Sequence, residues 1–260
     1  MNAPLRLLSV LTRQDDEPGE GAATMARYVD TGHEVMVVTC TGAGDETGEV
    51  IEALGVGLHW LGFPESRPRH GGGPVPAGPF SSVPAAESTE RLVRVLREFR
   101  PHVVVFYTDG DEPDPDRMRC RELSVAAFDA AGDPTRFTAA GKAWQPLKLY
   151  NVREWDETRI GALHDALLAE GLESPYHEWL RAPPDGVDRV TTRVPCGEYF
   201  PAREQVLRAH ADRLDPDCHW FAVPAWVRQA VWRTEDFELA RTHVLTALPE
   251  DDLFAGISPQ

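Results

Sequence analysis

Short apolar runs alternate with amphipathic helical stretches at a spacing that permits few folds. Residues 5–11 (LRLLSVL) carry little polar alternation, as a strand buried on both faces requires. A polar stretch, 12–19, follows, and then residues 21–30 read as a helix. Gly32 stands where a helix-stopping glycine belongs, and residues 34–40 (EVMVVTC) form a second buried strand. Strand, helix and strand within about forty residues make a βαβ unit, hence a parallel sheet with a right-handed crossover. The pattern continues with a strand at 58–63, a charged amphipathic helix at 85–99 and a buried strand at 101–107 (PHVVVFY). A helix at 117–131 and a strand at 147–152 complete it. The fold class is therefore α/β, Rossmann-like, with a mostly parallel twisted sheet flanked by helices.

After about residue 156 the chain reads as more helical. Helices are expected at 159–170 and 201–214 around a strand at 187–194, followed by a stretch dense in Trp220, Phe221, Trp226 and Trp232. Aromatics at that density are expected in a core. The expected organisation is one α/β domain over 1–260, with a core at about 5–155 and a C-terminal helical and aromatic extension at about 156–260.

Composition narrows the partners. Twenty-six Lys and Arg against 42 Asp and Glu leave a net charge of −16. That balance speaks against nucleic acid or an anionic membrane, both of which demand a basic face. No run is long and apolar enough for a membrane helix, and the first residues lack the basic flank of a secretion signal, so cytoplasm is expected. Cys40, Cys120, Cys196 and Cys218 contain no C-x-x-C pair and are expected as buried free thiols. Residues 64–84 are rich in Pro and Gly and read as an exposed loop or lid. Gly71-Gly72-Gly73 is no phosphate loop, since no Lys-Ser/Thr pair follows it.

In an open α/β sheet ligands bind beyond the carboxyl ends of the strands. The loops after the first strand and after Tyr107 bring Arg13, Asp15, Asp16, Glu17, Asp109, Asp111, Glu112, Asp114, Asp116 and Arg117 toward one such end. Unpaired charge is costly in a crevice, so this cluster is the candidate site. A purely structural role weighs about equally, with Asp16 or Glu17 capping the first helix and Asp116 the helix after Pro115.

Asp15-Asp16-Glu17 followed by Gly21-Ala22-Ala23-Thr24 resembles the signature of the zinc-dependent GlcNAc-PI de-N-acetylase-like (PIG-L) superfamily, and its mycothiol S-conjugate amidase branch in particular. His59-Trp60-Leu61-Gly62-Phe63, Arg100-Pro101-His102, Trp144-Gln145-Pro146-Leu147, Gly171-Leu172-Glu173-Ser174-Pro175-Tyr176 and Pro249-Glu250-Asp251-Asp252 extend the likeness from about residue 5 to 256. The resemblance implies a hydrolase of the amide between a glucosaminyl-inositol and an acyl cysteine with an S-linked group. It implies Asp15 as general base and Asp16 as zinc ligand beside two histidines.

The chain departs from that pattern. Arg13 stands where the first ligand histidine should be, and Asp114-Pro115-Asp116-Arg117 replaces a His-Pro-Asp-His loop. Glu112 replaces a tyrosine, Glu20 replaces a lysine, and the segment lining the sugar pocket is cut to residues 43–58. A guanidinium cannot ligate zinc, so no metal and no other cofactor is expected; two arginines instead supply the charge of the missing ion. Asp15, Asp114 and Glu112 are then the candidate proton carriers. Arg13, Arg117, Asp16, Asp116 and His210 are the candidate substrate contacts.

The expected function is a divergent, metal-free amidase homologue. It would bind or transform a small molecule, such as a mycothiol-derived conjugate or another intermediate of specialised metabolism. Self-association is left open. One alternative is an active metal-dependent amidase or deacetylase with a carboxylate-rich site, for which His70 is the histidine to check and zinc the cofactor. The other is a non-catalytic partner of an active paralogue.

Overall fold

The computed structural model describes residues 3–13, 19, 21–42, 54–66, 78–107, 114–153, 156–181, 188–209 and 219–258, the side chains of His219 and Trp220 excepted. The first strand, β1 (Arg6–Leu11), is followed by α1 (Ala22–Asp30), β2 (Glu34–Thr41) and β3 (Gly57–Phe63). Next come α2 (Ala85–Phe99), β4 (Val103–Tyr107), α3 (Pro115–Ala131) and β5 (Lys148–Val152). Then the chain forms α4 (Glu157–Ala169), α5 (His177–Arg181), β6 (Thr192–Pro195), α6 (Phe200–Ala209), α7 (His219–Ala222), α8 (Ala225–Val231) and β7 (Thr234–Thr242).

Among the described residues the strands form one sheet in the order β3-β2-β1-β4-β5-β7-β6. The first five run parallel. β7 is antiparallel to both β5 and β6. The α/β expectation therefore holds, with one correction: the stretch after residue 156 is not only helical and aromatic. It supplies two strands of the sheet, and β7, at nine residues, was not anticipated.

Period-two alternation places side chains on both faces of each central strand. Leu7, Leu11, Val35, Val37, Val103 and Val105 line one face with Met25 and Tyr28 of α1 and Leu253 and Phe254 of the C-terminal segment. Leu8, Val10, Val38, Val104 and Phe106 line the other with Leu92 and Leu96 of α2 and Leu123, Ala127 and Phe128 of α3. Burying each large aliphatic side chain stabilises by roughly 1.5–3 kcal/mol, so this double layer dominates the fold's cohesion.

Several boundaries shift for identifiable reasons. The expected helix at 117–131 starts at Pro115, because proline suits the first helical position, where its missing N–H is no loss. The expected strand at 187–194 is Thr192–Pro195, and the expected helix at 201–214 is Phe200–Ala209 over the described residues. The 64–84 segment is not exposed throughout: Phe80 is fully buried and stacks on Phe63 at 5.1 Å. Trp226 is 53% exposed and Phe221 borderline, against their expected burial. Cys40, Cys120 and Cys196 are buried free thiols, and Cys218 lies outside the described residues. No helix among the described residues is long and apolar enough to cross a membrane.

Candidate functional site

The strand order reverses direction between β1 and β4, and the carboxyl ends of these two strands open the crevice in which such folds bind ligands. Arg13 leaves β1 two residues after Leu11. Tyr107 ends β4, and Asp114 begins α3. Thr41 at the end of β2 donates its N–H to the Thr12 carbonyl at 2.9 Å and its hydroxyl to the same oxygen at 3.0 Å, which fixes the strand ends that flank Arg13.

Asp114, not Asp116, is the N-cap of α3. Its Oδ1 accepts the backbone N–H groups of Asp116 at 2.7 Å and of Arg117 at 3.1 Å. A helix start leaves its first N–H groups without intrahelical partners, and an aspartate side chain is well shaped to take them. The other oxygen, Oδ2, lies 3.7 Å from Arg13 Nη2, with both side chains about 15% exposed. One carboxylate thus fastens the helix and holds a guanidinium over the crevice. Arg117, on the first turn of α3, sets its guanidinium carbon 5.9 Å from the Tyr107 ring centroid, within cation–π range.

Asp116 is turned away from solvent, at 1% exposure. Its Oδ2 accepts the Ser66 N–H at 2.7 Å, and its Oδ1 accepts the Ser66 hydroxyl. The expected capping role of Asp116 is therefore corrected: Pro115 at the first helical position puts Asp114 at the cap, and Asp116 faces the segment after β3. Asp15, Asp16, Glu112 and His210 lie outside the described residues, as do Glu17, Glu20, His70, Asp109 and Asp111.

Sequence reasoning missed Glu235, which reaches the same end of the molecule from β7. Gly21, in the left-handed region at φ 69°, precedes α1 and offers no side-chain cap. Glu235 supplies one from far along the chain, accepting the N–H of Ala23 at 3.2 Å and of Thr24 at 2.8 Å. Burial pushes its carboxyl above the usual range, and Arg203, 4.0 Å away and equally buried, opposes that shift. No local pattern points to Glu235, because its partners are distant in sequence. Ser66 and Tyr107 carried no signal either.

Zinc takes imidazole, thiolate or carboxylate donors. The described members of the cluster do not make such a set. Arg13 and Arg117 have no lone pair to offer, Asp114 is taken by a cap and an ion pair, and Asp116 by Ser66. Among the described residues, no group of three or more His, Cys, Asp or Glu is placed to hold a metal ion.

Known proteins sharpen the picture. The mycothiol S-conjugate amidase of Streptomyces coelicolor is 41% identical over 99% of this chain and 99% of its own length. The chain belongs to the mycothiol S-conjugate amidase and deacetylase family of the PIG-L superfamily. A second member, the 1D-myo-inositol 2-acetamido-2-deoxy-alpha-D-glucopyranoside deacetylase 1 of Frankia alni, is 34% identical over 94% of this chain and 98% of its own. No protein-family model matches the chain. Among solved structures, N,N'-diacetylchitobiose deacetylase from Pyrococcus horikoshii superposes with a TM-score of 0.59 at 16% identity, covering 90% of this chain and 83% of that one. That last likeness concerns the fold.

Proposed function

We propose that this member of the amidase and deacetylase family binds a small anionic molecule, a thiol conjugate or another intermediate of specialised metabolism, and acts on it without zinc. The observation that carries this reading is the Arg13–Asp114 ion pair at the switch point of the sheet. A guanidinium held there, with Arg117 on the facing helix turn, favours a carboxylate, a phosphate or a developing oxyanion and repels a divalent cation. Asp15 and Glu112 carry protons in this scheme, and Asp114 orients Arg13 as well as standing ready as a third carrier. Asp16 and His210 border the substrate. Asp116, being buried, acts through what it holds. The reading includes a cytoplasmic location and neither nucleic acid nor membrane as partner.

A second reading, a zinc-dependent amidase with a carboxylate-rich site, is favoured by the 41% identity to a mycothiol S-conjugate amidase along the whole chain. Metal analysis of protein purified without chelator separates the two. The first reading expects well under one-tenth of a zinc equivalent per chain and no amide cleavage from a mycothiol conjugate. One tightly held zinc per chain with steady turnover would establish the second. Ligand-induced thermal stabilisation with no chemistry on any conjugate would leave a binding partner of an active paralogue.

A further inference from the structure

Ser66 and Ser81 flank residues 67–80 of the chain, and both are tied to one carboxylate, Ser66 directly and Ser81 through Ser66. The Ser66 hydroxyl has a single proton, and Asp116 accepts it, so Ser81 donates to Ser66 Oγ at 2.6 Å. The Ser81 N–H donates to that same oxygen at 3.1 Å. Around this knot, Phe80 N–H donates to the Pro64 carbonyl at 2.8 Å, and Arg119 of α3 donates to the Val83 carbonyl at 2.5 Å. Glu65 lies beside the end of β2, since a Cβ added at Gly42 would meet its Oε1 at 3.9 Å. The outgoing stem therefore runs from β3 past the end of β2 to the first turn of α3. There it meets the helix turn that carries Asp114, Arg13's partner, and Arg117.

We propose that Asp116 is a positioning residue that locks both stems of this segment onto α3, and that the stems so held select substrates at the edge of the crevice. The selecting role rests on the small-molecule reading above; the anchoring does not. A buried carboxylate is expensive unless its oxygens are satisfied, and an apolar contact would hold a loop at less cost. What a carboxylate adds is direction. Two donors from Ser66, one on each oxygen, fix the backbone and side chain of that residue together. The knot closes on the helix turn that carries Asp114 and Arg117, so the held stems border the crevice on that side.

The test uses full-length Ser66→Ala and Ser66→Thr, which leave every charged residue of the crevice in place. Three quantities are measured: orthophosphate affinity, affinity for a mycothiol S-conjugate with a fluorescent substituent, and the rate of trypsin cleavage between Arg69 and His70. Ser66→Ala removes the three hydrogen bonds of the Ser66 hydroxyl, and with water replacing part of them the net loss corresponds to a roughly ten-fold change. Ser66→Ala is expected to speed cleavage about ten-fold and weaken conjugate binding about ten-fold, while phosphate binding stays within about two-fold. Ser66→Thr, which keeps the hydroxyl, is expected to restore both.

If both ligands weaken together in step with a lower melting temperature, Ser66 is merely structural and the selecting role is wrong. Unchanged cleavage overturns the anchoring itself. A wild-type protein that binds neither probe overturns the functional reading and the selecting role with it, and cleavage alone then decides the anchoring.

Discussion

The parallel half of the sheet and its antiparallel end are built from different materials. Strands β1, β2 and β4 are mainly apolar, and Leu8, Val10, Val38, Val103 and Val104 are fully buried. Strand β7 instead buries Glu235 and Asp236 side by side, at 2% and 1% exposure. Each has dedicated partners: Ala23, Thr24 and Arg203 for Glu235, and Trp232 and Thr234 for Asp236. Where the two halves meet, Lys148 of β5 is fully buried and donates to Glu250 of the C-terminal segment. Tyr150 donates to the same carboxylate at 2.5 Å and Thr192 at 3.1 Å. The parallel half coheres through non-directional burial, which tolerates variation. The antiparallel end coheres through matched charges, which do not.

The largest expected effect is at that junction. Lys148→Met leaves the Glu250 carboxylate buried without its cation, and breaking one side of such a pair costs about 3–5 kcal/mol. Burial alone would push the Glu250 carboxyl up, but hydrogen bonds from Lys148, Thr246 and Tyr150 hold it below its usual range. Urea unfolding of Lys148→Met at pH 7 checks the loss, and Lys148→Met combined with Glu250→Leu is expected to recover much of it. Equal losses in the single and double variants would mean that packing, not charge, matters here.

Glu235→Gln comes next. It keeps the shape but exchanges one acceptor for a donor facing the α1 N–H groups, for an expected loss of about 1–3 kcal/mol. Amide hydrogen exchange at Ala23 and Thr24 should rise more than at Leu92 or Leu96 of α2. A uniform rise would show that Glu235 supports the whole fold and not α1 in particular.

These two halves also explain what the sequence made legible. The helix at Ala85–Phe99 matches its expected span residue for residue, and β1, β2 and β5 fall within a residue or so of expectation. Each owes its form to local apolar spacing. β7 was missed because Glu235, Asp236, Glu238 and Arg241 break any strand-like run, and the buried Glu235 is satisfied by α1 and Arg203, far from it in sequence. Of the residues that topology brings to the carboxyl end of the sheet, Arg13 and Asp114 lie 3.7 Å apart. The capping residue was misplaced by two positions, although Pro115 was the available sign. Ser66 could not be read at all, since its value lies in a partner fifty residues away.

A smaller effect concerns pH. His102 sits in the junction between β1 and β4, where Arg6 N–H donates to its Nδ1 at 3.0 Å. Burial, with the nearby Arg6 charge and His33, lowers its pKa from 6.5 to about 4. The Trp144 ring stands edge-on 5.7 Å away. The unfolded chain therefore takes up a proton below pH 6.5 that the folded chain refuses until about pH 4. Stability should fall as pH drops through that window, by up to roughly 3 kcal/mol in all. His102→Asn should flatten this part of the profile; an unchanged slope would assign the acid sensitivity elsewhere.

The central claim is that two guanidiniums at the end of the parallel half stand in for a metal. Isothermal zinc titration of the wild type beside Arg13→His with Arg117→His tests it most directly. The account predicts no site in the wild type and a single site in the double variant, at least about 100-fold tighter, because two imidazoles then join the carboxylates of the crevice. Equal zinc affinity in the two proteins would contradict it.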